Sequence, residues 1–500
     1  MTTLSTLPPE LHLLICDHLP KEKDLNALTR LTPTLYTLLN PHLYRTHINT
    51  HKSAGLLWAA EHGQTHTIQR FVAHGADLTL RTPHGETAFI LAAKSGHLGV
   101  LREIVVLGGM GGVVVVVEDM YMGEDRNHRT ALLHACKNGH GEVVEFILSL
   151  DGVDPNHRRN GDGDDETALR VATAGGYEGI VRMLFATGKM DVRDDDLDLE
   201  PGSMFYMAIG RDRCGILRML VEEHGADPGF VGSRGFTPLH HAAISNSHAV
   251  VEYLLSLGVD PDPVSDVVST PFTHAVGGKH LRVMEMLVAT GKVNCDFAEG
   301  VGRATPLASA AYMGSCEIVE YLLGLGVDIN FRDGWGRMPL HRAAAAGHVD
   351  VVQLLLRQEG ILADVPDFKG QRPLMSAIRN VEVVDLFLQR DDVEWDVADH
   401  KGETPLLVAA SVNKEAVVEA LIARGARIDC KDQHGRTPFA WAKWWQNEEM
   451  DRILLDYAKR CRYRQPVSVR DRVLIMEGQS MSPMVAIAEE LRGRFEGIST

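Results

Sequence analysis

The chain has 500 residues, of which 45% are hydrophobic and 23% are charged, and its formal net charge is −17. The hydrophobic and charged fractions are ordinary for a folded protein. The acidic balance argues against general binding to nucleic acid or to anionic membranes. The seven cysteines form no Cys-x-x-Cys pair, and no apolar stretch reaches the roughly 18 residues needed to span a bilayer. We therefore expect an intracellular protein of the cytoplasm, the nucleus or both.

The first predicted element is a unit of three short helices within residues 1–48. Leu7-Pro8-Pro9-Glu10-Leu11 opens the first helix and Pro20 ends it, Asp24 caps the second, and the third runs to Pro41. Three short apolar helices bury too little surface to be stable alone. Part of their apolar surface therefore needs a partner, either the following repeat or another protein.

This unit resembles an F-box. The motif Leu-Pro-x-Glu-Leu, then Ile15, Leu19-Pro20 and Asp24-Leu25-x-x-Leu28 match that family, and Leu35-Tyr36 stands where the family usually has Trp. The resemblance implies docking on the small adaptor of cullin–RING (SCF-type) ubiquitin ligases, and it implies five contact residues: Leu7, Pro8, Leu11, Ile15 and Leu19. The alternative is that these residues only cap the N-terminal end of a repeat stack, which needs a polar or covered end.

A box of the form Thr-Pro-Leu-x-x-Ala then recurs eleven times, from Thr87 to Thr437. From Ser203 onward the box starts are separated by 34, 33, 35, 33, 34, 32 and 33 residues. A period near 33 indicates a stack of similar helical units and not one globular core. With a degenerate first copy near Ala54–Asp77, the sequence predicts about twelve repeats over residues 52–458.

Local rules explain one such repeat, residues 399–429. Gly402 is free to take a positive φ angle in the turn, Thr404 caps a first helix, and Pro405 fits its first position. Apolar residues around Leu421 recur at helical spacing, which predicts a second helix that Gly425 ends. One helix pair cannot cover its own apolar face, so we expect neighbouring pairs to stack.

The box, the Gly-His after the first helix, the Val-Val-Glu-x-Leu-Leu of the second and the closing Gly-Ala-Asp resemble the ankyrin repeat family. The resemblance implies an all-α fold, an ankyrin-repeat solenoid preceded by the F-box-like unit, that binds other proteins. Insertions are predicted near residues 108–126 and 158–166, and residues 459–500 form a C-terminal tail outside the repeats.

The sequence offers no support for catalysis. It contains no His-Glu-x-x-His, no Gly-x-Ser-x-Gly and no phosphate-binding Walker loop. We therefore predict no enzyme activity, no cofactor and no metal. Six of the 24 histidines fall on fixed repeat positions: His97, His140, His240, His280, His341 and His348. For the two in the box, His240 and His341, the resemblance implies hydrogen bonds between neighbouring turns.

The resemblance also implies a binding surface, the concave face formed by the turn tips and the ends of the first helices. Trp335 lies between two glycines of a turn, and exposed Trp side chains often dominate binding. The alternatives are that Trp335 leans on the adjacent turn and that Trp444 and Trp445 pack under the C-terminal end. The candidates for target binding are Trp335, Tyr312, Met313, Phe368, Lys369, His400, Lys401, His434, Arg436, Trp444 and Trp445.

These observations predict a monomeric subunit within a hetero-complex. Its expected partners are two proteins: a ubiquitin-ligase adaptor, and an unidentified target that carries an acidic or phosphorylated segment. Binding to nucleic acid or to a membrane is not expected. The predicted function is to recruit substrates to an SCF-type ligase. The alternative is an ankyrin scaffold without any role in ubiquitin ligation.

Overall fold

The computed structural model describes residues 54–110, 123–157, 166–189, 203–300 and 302–461. The whole predicted F-box-like unit, including Leu7, Pro8, Leu11, Ile15 and Leu19, lies outside the described residues. The same holds for most of the two predicted insertions and for the tail beyond residue 461.

Within the described ranges, the chain consists of 24 α-helices and, apart from two isolated bridges (Arg81 with Thr87 and Glu299 with Ala304), contains no β structure. The helices form twelve consecutive pairs, so the predicted all-α repeat fold is confirmed. The chain divides after Asp266 into two compact units.

The first unit holds six of the pairs. Two of its connections carry other features: a single 3₁₀ turn at Ser233–Gly235 and the bridge at Arg81. In chain order its helices are α1 (Ala54–Glu61), α2 (Thr65–Ala73), α3 (Ala88–Ser95), α4 (Leu98–Met110), α5 (Ala131–Asn138), α6 (Gly141–Leu148), α7 (Ala168–Gly175), α8 (Glu178–Ala186), α9 (Met204–Gly210), α10 (Cys214–His224), α11 (Pro238–Ile244) and α12 (His248–Ser256).

The second unit holds the other six pairs, and its first helices begin with proline in every pair. Its helices are α13 (Pro271–Gly278), α14 (Leu281–Val288), α15 (Pro306–Met313), α16 (Cys316–Gly324), α17 (Pro339–Ala346), α18 (Val349–Leu356), α19 (Pro373–Ser376), α20 (Val381–Leu388), α21 (Pro405–Ser411), α22 (Glu415–Ala423), α23 (Pro438–Trp444) and α24 (Glu448–Cys461).

Odd-numbered helices are therefore the first helices of the pairs, and even-numbered helices are the second. Within each unit every odd-numbered helix packs on the next odd-numbered helix. The core is the apolar surface between neighbouring pairs, as in α22, where Val417, Val418 and Leu421 are buried. Each pair thus depends on its neighbours for burial, and stability is a sum of nearest-neighbour contributions.

The predicted caps are present. The Thr404 hydroxyl accepts a hydrogen bond from the Leu407 N–H at 3.3 Å, and Pro405 follows in the first turn of α21. Gly402 in the preceding turn has a φ of +77° and Gly425 after α22 has a φ of +94°, as local rules predicted. Of the box histidines, His341 forms the expected bond to a neighbouring turn, since its Nε2 lies 3.2 Å from the carbonyl oxygen of Gln371.

Histidines between the two helices of a pair join that pair to the preceding one. The His348 Nε2–H donates to the carbonyl oxygen of Tyr312, 36 residues earlier, at 2.9 Å. The His348 ring also covers Gly314, where a Cβ atom would lie 2.5 Å from Nδ1. The same bond links His97 to Glu61 and His140 to Lys94. A glycine is needed below the ring because any side chain would displace it.

Candidate functional site

The turn that comes just before each odd-numbered helix is here called a tip. In the second unit the tips are residues 299–304, 331–337, 366–372, 398–403 and 431–436. In the last four of these tips a buried aspartate lies at or near the start, and its Oδ1 accepts two backbone N–H groups. Asp333 accepts from Trp335 and Arg337, both at 2.9 Å. Asp367, Asp399 and Asp432 do the same at equivalent positions. These charge-assisted bonds offset the cost of burying a carboxylate and fix the turn.

Neighbouring tips are joined backbone to backbone. The N–H of Gly334 donates to the carbonyl oxygen of Gly302 at 2.8 Å, that of Phe368 to Trp335 at 3.0 Å, and that of His400 to Lys369 at 3.0 Å. Four successive tips therefore form one continuous, hydrogen-bonded line within the second unit, and their exposed side chains are held in fixed relative positions.

Each aromatic ring of this line rests on a glycine of the tip before it. The Trp335 ring covers Gly302, so closely that a Cβ atom there would collide with it. A Cβ atom at Gly336 would lie 2.6 Å from the Phe368 ring, and one at Gly370 would lie 2.7 Å from the His400 ring. Trp335 thus leans on the adjacent turn, the alternative that the sequence left open.

The rings nevertheless remain open to solvent on their outer sides. Trp335 is 47% exposed and Phe368 is 64% exposed, and His400 is exposed as well. The guanidinium of Arg337 lies 4.6 Å from the centre of the Trp335 ring, and that of Arg332 lies 5.4 Å from the centre of the Phe368 ring. Lys369 and Lys401 stand exposed beside the rings. We call Trp335, Phe368, Lys369, His400 and Lys401 the tip row.

The remaining candidates are divided between two places. Tyr312 and Met313 end helix α15 at the far side of the pair; the Tyr312 side chain is 51% exposed, and Met313 is half-buried. Their backbone is engaged by the next pair, since the Tyr312 carbonyl accepts from His348. The structure does not bring these two residues into the tip row, because α15 separates them from its tip.

The C-terminal candidates lie on or beside α23. The Trp445 Nε1–H donates to the carbonyl oxygen of Ser411 at 3.0 Å, while its ring stays 45% exposed. Trp444 is half-buried and meets Trp441 edge to face, with the ring centres 6.5 Å apart. These tryptophans therefore close the last helix pairs as well as facing solvent.

Arg436 and His434 lie in the same last tip, but they differ in how far their side chains are exposed to solvent. The Arg436 Nε bonds to the carboxylate of Asp432, and its guanidinium lies 4.4 Å from the centre of the Trp441 ring. Only 15% of the Arg436 side chain is exposed. His434 is exposed, next to Gln433. Of the basic candidates, Arg436 offers a partner the least.

Arg332 also belongs to this surface, although the sequence did not single it out. It donates to the carbonyl oxygens of Pro366 at 2.6 Å and Gly336 at 3.2 Å, so it clamps two tips while covering the Phe368 ring. The signal was in the repeat: a basic residue stands just before the opening position of the tip at Arg81, Arg332 and Lys431. Arg81 likewise donates to Gly85 and, in the next tip, Glu124.

The described part of the chain contains no group of three or more His, Cys, Asp or Glu side chains placed to hold a metal ion. Among the helices of that part, none combines the length and the apolar character that a bilayer crossing requires. The tip row itself offers exposed aromatic rings and cations, side chains that are frequent in surfaces that bind other molecules.

Comparisons with known proteins agree with this architecture. The family profile described as "Ankyrin repeats (3 copies)" matches residues 113–196, 190–265, 258–333, 307–399 and 380–465, and "Ankyrin repeats (many copies)" matches residues 56–102. Together these matches cover well over half of the chain.

Three curated relatives match parts of the chain. The chain is 28% identical over 315 residues to "Ankyrin repeat and KH domain-containing protein mask-1" of Caenorhabditis elegans, a match covering 62% of this chain and 12% of that protein. It is 24% identical over 384 residues to "Ankyrin repeat domain-containing protein SAT10" of Stachybotrys chartarum, covering 76% and 18%. It is 25% identical over 296 residues to "E3 ubiquitin-protein ligase KEG" of Arabidopsis thaliana, covering 56% and 18%.

The chain thus spans less than a fifth of the length of these three relatives, two of which are named for ankyrin repeats. The profile matches, the twelve helix pairs and the tip geometry agree with one another. The chain belongs to the ankyrin repeat family.

Proposed function

We propose that this protein recruits target proteins to an SCF-type ubiquitin ligase in the cytoplasm or nucleus, with no catalysis of its own. In this proposal residues 7–19 hold the adaptor and the ankyrin repeats select the target. The observation that supports target selection is the tip row, whose exposed rings sit on a hydrogen-bonded frame. The F-box-like residues and the E3 ligase among the relatives support the ligase part.

The frame favours binding for a physical reason. Binding becomes less favourable when it must order flexible side chains. The cost is on the order of 1 kcal/mol of binding free energy for each rotamer-rich side chain. The rings of Trp335 and Phe368 are already packed on the glycines of neighbouring turns. A partner therefore meets a surface that is largely ordered before it binds, and rigid aromatic side chains are frequent anchors of protein interfaces.

The ligase role is tested with the full-length chain and the purified adaptor in a pull-down. We expect the wild type to bind and Leu7→Ala/Pro8→Ala to lose at least about tenfold in affinity, because the few interface residues whose truncation costs more than about 1 kcal/mol cluster in buried, well-packed positions. Phe368→Ala is the matched control, because it truncates an exposed apolar side chain of the repeats and should keep adaptor binding.

Equal binding by the wild type and by the double variant, with helix content unchanged in circular dichroism, would contradict the ligase role. An ankyrin scaffold whose first residues cap the repeats would then be favoured. That alternative predicts that deletion of residues 1–48 lowers the melting temperature markedly, since an uncapped repeat exposes apolar surface.

A further inference from the structure

In the tips of the second unit, charged side chains differ in their exposure to solvent according to their sign. In the described residues of the tips at 299–304, 331–337, 366–372, 398–403 and 431–436, every exposed charged side chain is a cation, and the carboxylates are buried or half-buried. The four opening aspartates are at most 7% exposed. The exposed cations are Arg303, Arg332, Lys369, Lys401 and Lys431.

Four of the six even-numbered helices of the same unit carry the opposite sign. In α16, α18, α20 and α22, every exposed charged side chain is a carboxylate, and these helices contain no lysine or arginine. The exposed carboxylates are Glu317, Glu320, Asp350, Glu382, Asp385, Glu415 and Glu419. An anionic ligand is therefore attracted to the tips and repelled by the second helices, which fixes the side on which it docks.

Two cations of the tip row are also available to a ligand. The ammonium groups of Lys369 and Lys401 form no ion pair within 4 Å with any residue that the structure describes. Asp367 and Asp399, each two residues before one of these lysines, are buried, and their Oδ1 atoms accept hydrogen bonds from backbone N–H groups. Glu403, two residues after Lys401, is half-buried and interacts with Lys401 only through their charges. A ligand carboxylate thus meets these lysines without breaking an internal ion pair.

We propose that the tip row binds an extended peptide segment rich in aspartate and glutamate, interspersed with apolar residues. The carboxylates pair with Lys369 and Lys401, and the apolar side chains pack on the open sides of Trp335 and Phe368. This inference rests on the proposed role of the repeats in target selection and names the chemistry of the segment that they recognise.

A peptide fits the surface better than a nucleic acid strand does. A strand carries a phosphate at every nucleotide along its whole length, so it would extend beyond the tip row towards the acidic helices of a chain with a net charge of −17. An acidic peptide places its charge only where the lysines stand, and its apolar side chains match rings that are 47% and 64% exposed.

The test is selection from a display library of random peptides on the full-length protein, followed by fluorescence anisotropy with a selected peptide. We expect selected peptides to be enriched in Asp and Glu together with apolar residues. Lys369→Glu/Lys401→Glu should weaken binding at least about tenfold, because it turns two attractive contacts into repulsive ones. Binding should also weaken as the salt concentration is raised.

Two matched variants complete the design. Lys414→Glu/Arg424→Glu makes the same change in net charge at the two ends of α22, away from the tip row, and should leave the affinity within about twofold. Lys369→Gln/Lys401→Gln removes the charges without reversing them and should show an intermediate loss. Thermal unfolding followed by circular dichroism shows that each variant folds.

The proposal is overturned if the selected peptides are neutral or basic, if both Glu double variants bind alike, or if labelled oligothymidylate binds the tip row more tightly than the selected peptide. The peptide measurement uses no adaptor, so its result does not depend on whether Leu7→Ala/Pro8→Ala loses adaptor binding. Failure of the ligase role and failure of the acidic-peptide proposal can therefore be distinguished.

Discussion

Val268 occupies the turn position that glycine fills at Gly336, Gly370, Gly402 and Gly435. Its backbone has a φ of +58°, in the left-handed region that β-branched residues rarely adopt. A left-handed conformation costs roughly 1–2 kcal/mol for a residue with a Cβ atom. Because Val268 is 43% exposed, packing of its side chain offsets little of this cost.

We therefore expect Val268→Gly to raise the free energy of unfolding by about 1 kcal/mol, the relief of strain being partly offset by the greater freedom of glycine in the unfolded chain. Urea unfolding of the full-length protein measures it. Gly402→Val is the reciprocal control: the added Cβ would contact only the Lys431 carbonyl, at 4.0 Å, so its expected loss of about 1–2 kcal/mol reports backbone strain. A Val268→Gly protein less stable than the wild type would contradict this account.

His341 makes stability depend on pH. Its Nδ1 accepts from the Met338 N–H at 3.1 Å and its Nε2–H donates to Gln371, so the buried ring must be neutral. Burial lowers the pKa of His341 from 6.5 to about 4. The unfolded state therefore binds more protons between pH 6.5 and pH 4, and the free energy of unfolding falls as the pH is lowered through that window.

Protonation of His341 lowers the free energy of unfolding by about 3 kcal/mol in total, and this loss levels off below pH 4. Because carboxylates titrate in part of the same range, the measurement is a difference: urea unfolding from pH 7 to pH 4 for the wild type and for His341→Gln. We expect the variant to lose less stability over this window. Parallel pH profiles for the two proteins would show that His341 is not responsible.

At the scale of single elements, the link between helix pairs depends on two residues that share one space. Gly314 ends α15 with a φ of +71°, and the His348 ring lies directly over it while binding the Tyr312 carbonyl. A side chain at residue 314 therefore has two separate costs, the left-handed backbone and the collision with the ring.

A double-mutant cycle separates these costs. We expect Gly314→Ala alone to destabilise by about 3 kcal/mol and His348→Ala alone by about 1 kcal/mol. The pair should destabilise by at least about 1 kcal/mol less than the sum, because removal of the ring removes the collision. Thermal or urea unfolding measures all three variants.

Gly326→Ala supplies the baseline for that cycle. Gly326 has a φ of +76°, and a Cβ atom there would meet nothing within 4 Å, so its substitution reports backbone strain alone. Additive costs at residues 314 and 348 would mean that the ring moves aside freely and does not tie the pairs together.

Local rules predicted the elements because each depends on residues a few positions apart. Thr404, Pro405 and Gly402 act within one turn of chain, and the period of about 33 residues marked the helix pairs. The packing of Trp335 on Gly302 and the clamp by Arg332 join different repeats. Such contacts depend on how neighbouring pairs stack, which no rule for a single repeat contains.

At the scale of the molecule, the sequence gives a net charge but not its distribution. The tips contain both aspartates and lysines, and only the hydrogen bonds show that the aspartates are buried while Lys369 and Lys401 are exposed. The total of −17 therefore hides a cationic line on the second unit, beside four helices whose exposed charges are acidic. The target-binding residues predicted from the sequence remain a prediction until a partner is bound.

The way in which the tips are anchored separates construction from recognition. In the last four tips of the second unit, main-chain hydrogen bonds to an aspartate build the turn, and in three of them a main-chain bond also joins it to the turn before. The one or two outward side chains of each turn take no part in these hydrogen bonds, although several of their rings pack on the preceding turn. Substitution at those positions can alter what the surface recognises without rebuilding the scaffold. Substitution of a few exposed residues in consecutive turns, whether by evolution or by design, can therefore give such a chain a new ligand.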